Sequence, residues 1–298
     1  MTVGESGQSP YQLTEQTGPW PFTTRRVYEG LDGSRHVWSS RYHRKRLARA
    51  DELKRLRVSA LLWRCVWNPQ DLNWWIGSIF AIGASLFILG SLLVLVPPLA
   101  TQSLLSTLDI NAVFFAGSIP FTTAAFLQLF QAANAGDYVP ATSPITGRQL
   151  ILGWRPNDIG WLSCAFQFAG TILFNFNTYD AMLPGLDWLE EDILIWGPNF
   201  AGSILFLASG HLAYAEIGHG HVSWRTANLS WWVTVANLLG CIAFMVSAIF
   251  AFVPPEPIGF DAAWVSVLFT LLGAIGFLVG SLLMLPEAAM SARDLWGQ

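Results

Sequence analysis

From Leu72 onward the chain alternates long apolar runs with short polar breaks, and six of the runs are long enough to cross a bilayer. A spanning helix needs about 20 mostly apolar residues, because the hydrocarbon core is about 30 Å thick and each helical residue rises about 1.5 Å. The six runs cover 72–96, 110–133, 161–179, 194–215, 231–253 and 262–285, and none contains Asp, Glu, Lys or Arg. Pro/Gly turn clusters at 96–98, 140–147 and 254–259 separate several of them. A backbone exposed to lipid must satisfy its own hydrogen bonds, so the runs are expected to be helices. The pattern predicts an all-α membrane fold with six transmembrane helices over 67–289.

The first 66 residues differ. Residues 1–23, rich in Gly, Ser, Thr, Gln and Pro, read as a disordered cytoplasmic tail, and 24–66 as a basic juxtamembrane helical segment. Over 41–67 the residues Leu53, Leu56, Ala60 and Trp63 fall at helical spacing, with Arg44, Lys45, Arg46, Arg49, Lys54, Arg55 and Arg57 around them. Asp51 and Glu52 stand within reach of Lys54 or Arg55. Such a helix is expected to lie along the membrane, each basic residue near an anionic surface contributing about 1 kcal/mol. Membrane lipid, anionic lipid at 41–67 in particular, is therefore the expected partner. Nucleic acid is not, since no binding fold accompanies the charge. Residues 290–298 read as a short cytoplasmic tail.

A pattern recurs three times within the spans. Trp67 opens W-N-P-Q-D-L-N-W, Trp154 opens W-R-P-N-D-I-G-W and Trp224 opens W-R-T-A-N-L-S-W. Nine residues after the second tryptophans stand Gly83, Gly170 and Gly240, each followed four residues later by Phe87, Phe174 or Phe244. The even-numbered spans carry G-S-I-P-F from Gly117, G-S-I-L-F from Gly202 and G-A-I-G-F from Gly273. The paired glycines are 34, 32 and 33 residues apart, so the unit is a two-helix hairpin used over 67–136, 154–217 and 224–289. Small residues allow close helix approach in lipid, and the six glycines are expected at helix contacts, with each Phe packed over the gap. The tryptophans suit the headgroup interface. Asn68 before Pro69 suits an N-cap with Pro at the first helical position and Asp71 in the first turn.

Composition supports the membrane class. Charged residues make up 12% and hydrophobic ones 53%, with 15 Trp and 20 Phe. A soluble domain carries about 25% charged residues, so an ordinary soluble enzyme is excluded. The first 71 residues hold twelve basic and seven acidic residues, and the rest hold four and thirteen. Arg148, Arg155, Arg225 and Arg293 share the side of the basic N-terminus, while the other three loops have neither Lys nor Arg. The positive-inside rule then places both termini in the cytoplasm. The first long apolar run begins only near Leu72, so no cleavable signal peptide is expected.

Candidate chemistry is sparse. Cys65, Cys164 and Cys241 form no C-x-x-C, which gives neither a disulfide framework nor a thiol zinc site. His211, Glu216, His219 and His221 are the residue types that ligate zinc or iron, at no recognised spacing, and make a weak candidate metal set. Gln167, Asn175, Asn177, Asn199 and Asn237 are candidates for a polar cavity. No G-x-S-x-G, S-x-x-K or P-loop occurs, so no catalytic residue, no enzyme and no cofactor is expected.

The repeated F-A-G-S/T-I-x-F segments, with W-R-P-N-D and F-L-A-S-G-H-L-A-Y-A-E, resemble the YrhK-like family of bacterial multi-pass membrane proteins over about 63–287. That resemblance implies the bacterial inner membrane and assigns no activity. Three functions follow as expectations. The first is a non-enzymatic structural protein that interacts with lipid or partners. The second is a transporter or channel for a small neutral solute along the axis between the repeats. The third is a metal-binding sensor or enzyme at the histidines. A homo- or hetero-oligomer is left open by the sequence.

Overall fold

A computed structural model describes residues 11–47, 58–136, 149–254 and 261–290. Strands β1 (Tyr11–Thr17), β2 (Arg25–Gly30) and β3 (Arg35–Ser39) form an antiparallel sheet in the order β1-β2-β3. The short helices α1 (Ser40–Lys45) and α2 (Val58–Val66) follow. The spans are α3 (Leu72–Leu95), α5 (Thr107–Ala133), α6 (Ile159–Asp180), α8 (Gly197–Gly218), α9 (Leu229–Phe250) and α10 (Ala262–Ala289). Helix α4 (Pro97–Gln102) joins the first two. Helix α7 (Trp188–Glu191) and a π-helical turn over Asp192–Trp196 run directly into α8. Six helices are long and apolar enough to cross a membrane, and the chain is an integral membrane protein.

Each span packs on its neighbours in sequence, and α10 packs back on α3, so the six form a closed ring. The same close contact occurs in all three hairpins. A side chain added at Gly83 would meet the Phe121 ring at 2.7 Å and the Gly117 carbonyl at 2.9 Å. At Gly170 it would meet Phe206 at 2.7 Å and the Gly202 carbonyl at 3.1 Å, and at Gly240 Phe277 at 2.8 Å and the Gly273 carbonyl at 3.0 Å. Only hydrogen fits there. Gly117, Gly202 and Gly273 face Phe87, Phe174 and Phe244 in the reciprocal way.

The six phenylalanines meet on the axis of the ring. Eight pairs among Phe87, Phe121, Phe174, Phe206, Phe244 and Phe277 have centroids 4.9 to 6.4 Å apart, within the range of favourable aromatic pairing. All six are buried. Hydroxyl pairs reinforce the contacts between helices: Ser163 with Ser209, Thr178 with Ser118, and Ser247 with Thr270.

The odd helices begin later than the Asn-Pro reading has it. Asp71, not Asn68, caps α3, its side chain accepting from the Asn73 N–H at 2.7 Å. Asp158 and Asn228 cap α6 and α9 in the same way. The residues before each cap form a turn, closed by N–H bonds from Asp71, Asp158 and Asn228 to residues 68, 155 and 225. Pro69 therefore sits in that turn rather than at the first helical position. Within each copy the two tryptophans pair edge to face, at 5.6 Å for Trp67 with Trp74 and at 5.4 Å in the other two. The second of each pair is buried and the first is exposed.

The amino-terminal region corrects two expectations. Residues 11–17, expected to be disordered, form a strand, and 25–39, expected to be helical, hold the β2-β3 hairpin. The hairpin turns at Asp32-Gly33, where Gly33 has φ of +77° and Asp32 accepts from the Ser34 N–H. Val27 is buried, and the Arg26 guanidinium lies 5.1 Å from the Trp38 ring. Helix α1 ends after six residues because Arg46 turns left-handed at φ +53°. Residues 48–57, which include Arg49, Asp51, Glu52, Leu53, Lys54, Arg55, Leu56 and Arg57, lie outside the described residues.

Candidate functional site

The chemistry of the chain gathers where α1 caps one end of the ring. Helices α8 and α10 run past their apolar stretches to Glu216 and Glu287, each 14 residues beyond the glycine of its hairpin, Gly202 or Gly273. Both carboxylates are fully buried. The equivalent position in α5 is Gln131, whose amide donates to Asn73 Oδ1 at 3.0 Å.

Four polar side chains of α1 meet these carboxylates. Arg41 donates to Glu287 Oε1 through Nε at 3.2 Å and Nη2 at 3.0 Å, and Lys45 Nζ reaches Glu287 Oε2 at 2.5 Å. Arg44 Nη2 donates to Glu216 Oε2 at 2.6 Å, and Ser40 Oγ donates to Glu216 Oε1 at 2.6 Å. Arg41 and Lys45 are four apart and Arg44 three from Arg41, so a single turn presents all three to the ring. None of the five ionised side chains is more than 6% exposed. Gly160, at the start of α6, makes room for one pair: a side chain there would lie 2.6 Å from Arg44 Nε and 2.7 Å from Glu216 Oε1.

Burial opposes the charge on Arg44, yet Glu216 beside it raises the guanidinium above its ordinary range. Burial pushes the Lys45 ammonium down to about 8, with the neighbouring Arg41 charge acting in the same direction against Glu287. At the rim of this end, burial lowers His219 to about 4, with Arg225 and Arg25 adding to the effect. Its Nδ1 lies 2.9 Å from Thr24 Oγ1, which ties the sheet to the end of α8.

Arg44 and Lys45, expected to flank a lipid-facing stripe, instead point into the protein and pair with Glu216 and Glu287 there. The reason is the pairing: a buried carboxylate left alone is far more costly than the loss of one exposed lipid contact. Arg46, left exposed, retains a surface position.

Beneath α1 lies a cavity of about 50 Å³. Its charged lining is Arg41, Arg44 and Lys45, its neutral polar lining includes Gln128, Gln167 and Asn237, and Phe206 and Phe277 from the aromatic layer form part of its wall. Across that layer a second space of about 10 Å³ is lined by Phe87, Phe121, Phe174 and Phe244 among others. The six rings separate the two.

The cavity thus takes Gln167 and Asn237 from the polar residues singled out by the sequence. Asn175 and Asn177 lie toward the other end of α6, where Asn177 donates to the Ile195 carbonyl at 3.0 Å. Asn199 is half-buried near the start of α8 and does not line the cavity. The four metal candidates do not converge. Glu216 faces inward to Arg44, His219 faces Thr24, and His211 and His221 stack on the exterior with centroids 5.6 Å apart. Five helical positions turn the chain by about 140°, which sends His211 and Glu216 to opposite sides of α8. Among the described residues no group of three His, Cys, Asp or Glu is placed to hold a metal ion.

Arg44 and Lys45 carry a lipid-facing expectation from the sequence, while Arg41 and Glu287 carry none of their own. The signal for the acids lies in their spacing, since Glu216 and Glu287 each follow Gly202 or Gly273 by 14 residues. In comparisons with known proteins, the chain matches no family model, no curated protein and no solved structure.

Proposed function

We propose that the protein is a non-enzymatic, multi-pass protein of the bacterial inner membrane that holds a sheet-and-helix cap at the cytoplasmic face as a platform for lipid or partner proteins. The observation that carries this reading is the layer of six phenylalanines, which closes the axis of the ring and makes the bundle a support rather than a conduit. The distribution of Lys and Arg supports cytoplasmic termini. The recurring contacts support three tandem hairpins, and the motifs that resemble the YrhK-like family support a bacterial origin.

Helix α2 fits a place in the lipid interface. Leu62, Trp63 and Val66 are exposed on it and Trp67 just after it, an arrangement suited to lying against acyl chains with Arg64 at the headgroups. Anionic lipid is the partner that this arrangement favours.

A second reading, carriage of a small neutral solute, draws on Gln167 and Asn237 in the cavity wall. It requires the six rings to part during each passage. Purified protein in liposomes loaded with glycerol or urea separates the two readings. Efflux at the rate of protein-free vesicles is expected, and saturable, protein-dependent efflux would overturn the platform reading.

A further inference from the structure

We propose that the cavity beneath α1 is a binding site for a small monovalent anion of about the size of a halide or nitrate. Every charged side chain that lines it is a cation, Arg41, Arg44 or Lys45, and no carboxylate does. Glu216 and Glu287 are engaged by those cations but are not part of the lining. The three cations share two carboxylate partners, which leaves one positive charge in excess within the pairs. Asp158 is a further carboxylate acting on Arg44; it accepts from the N–H groups of Gly160 and Trp161 at the start of α6 and, like the two glutamates, does not line the cavity. Cationic side chains that face a cavity with no carboxylate opposite them are costly to bury, and a monovalent anion in the cavity removes that cost.

The remaining polar lining supplies donors. The side-chain amides of Gln128, Gln167 and Asn237 border the cavity, and among the described residues none of them is hydrogen-bonded to another protein group. Each presents an NH₂ with two donors. A volume of about 50 Å³ is several times the roughly 10–15 Å³ that one water requires, so an ion and a water fit while a sugar or nucleotide does not. The enclosing apolar helices reduce the local dielectric and strengthen attraction between the anion and the cations. This site is independent of whether the bundle carries a solute.

The test follows thermal unfolding of the purified full chain by tryptophan fluorescence. Sodium gluconate, too large for the cavity, is replaced stepwise by chloride, bromide or nitrate at constant ionic strength. The expected result is a saturable rise in Tm with each small anion, as binding to the folded state requires. Gln167→Leu removes an amide donor from the wall without breaking an ion pair, and is expected to raise the half-saturating concentration by about tenfold or more, a loss of about 1.4 kcal/mol. Lys45→Met, which removes a lining cation, is expected to do the same. Equal Tm in gluconate and chloride would overturn the proposal and leave a water-filled cavity. So would an anion response of unchanged midpoint in Gln167→Leu, which would mark an effect at the surface.

Discussion

Two layers cross the six-helix ring, about 15 Å apart along α10 between Phe277 and Glu287, and they are built on opposite principles. The aromatic layer repeats: each hairpin contributes a pair of glycines and a pair of phenylalanines in the same contacts. The charged layer breaks the repeat, with Gln131 in one hairpin and Glu216 and Glu287 in the other two. The repeated layer makes a bundle, and the broken one makes it particular. Carboxylates occur only at the two equivalent positions that α1 approaches with a cation, while Gln131 bonds within the ring to Asn73.

The largest effect is expected from Glu287→Ala, which leaves Arg41 and Lys45 buried without their carboxylate. Removing one partner of a buried pair costs about 3–5 kcal/mol. Thermal unfolding and protease sensitivity of the first 47 residues report it, and a loss under about 1 kcal/mol would show that the charged layer contributes little to holding the cap. Next is Gly240→Val, which forces a branched side chain against Phe277 and the Gly273 carbonyl. Overpacking of this kind costs about 1–3 kcal/mol, and the same change at Gly83 or Gly170 is expected to fall in that range if the layer is as regular as its contacts.

Gln131→Glu sharpens the comparison from the other side. It makes the remaining position, in the first hairpin, acidic without a carboxylate-paired cation of its own and removes the donor to Asn73 Oδ1. The expected loss is about 1–3 kcal/mol, larger at neutral pH than at pH 4, measured by thermal unfolding at both. A gain in stability would mean that the positive charge in excess on α1 reaches position 131 as well as the cavity.

The smallest effect concerns His219. Its imidazole titrates at about 4 in the folded protein, below its ordinary 6.5, so between those values the unfolded chain holds a proton that the folded chain lacks. Stability from this group is complete above pH 6.5 and falls as pH drops toward 4. Hydrogen exchange in β2, corrected for intrinsic rate, is expected to show weaker protection at pH 5 than at pH 7, with His219→Asn flattening the difference.

The spans were legible because each needs only a long run free of charge, a local property. Glycines found by spacing lie where the hairpin helices approach most closely, because a close approach needs the same residue in each copy. Helix starts moved by three residues because Asn68-Pro69 serves a turn as readily as a cap, and only the hydrogen bonds of Asp71 distinguish them. The β2-β3 hairpin differs from the helical expectation although Asp32-Gly33, between Arg25–Gly30 and Arg35–Ser39, carries a turn signal, because the basic residues of 24–66 outweigh a single turn pair when the segment is taken as one helix. The ion pairs join α1 to residues 172 to 246 positions away, a separation at which no periodicity operates. Basic residues near a membrane suit lipid or a buried acid equally well until the acid is located.

The claim that buried ion pairs lock the cap to the bundle is tested most directly by a double-mutant cycle on Arg44 and Glu216. Stability is measured for the wild type, Arg44→Met, Glu216→Gln and the double variant. The account predicts that the single losses exceed the double loss when summed, with a coupling of about 1.5–3 kcal/mol. Losses that add to within about 0.5 kcal/mol would contradict it.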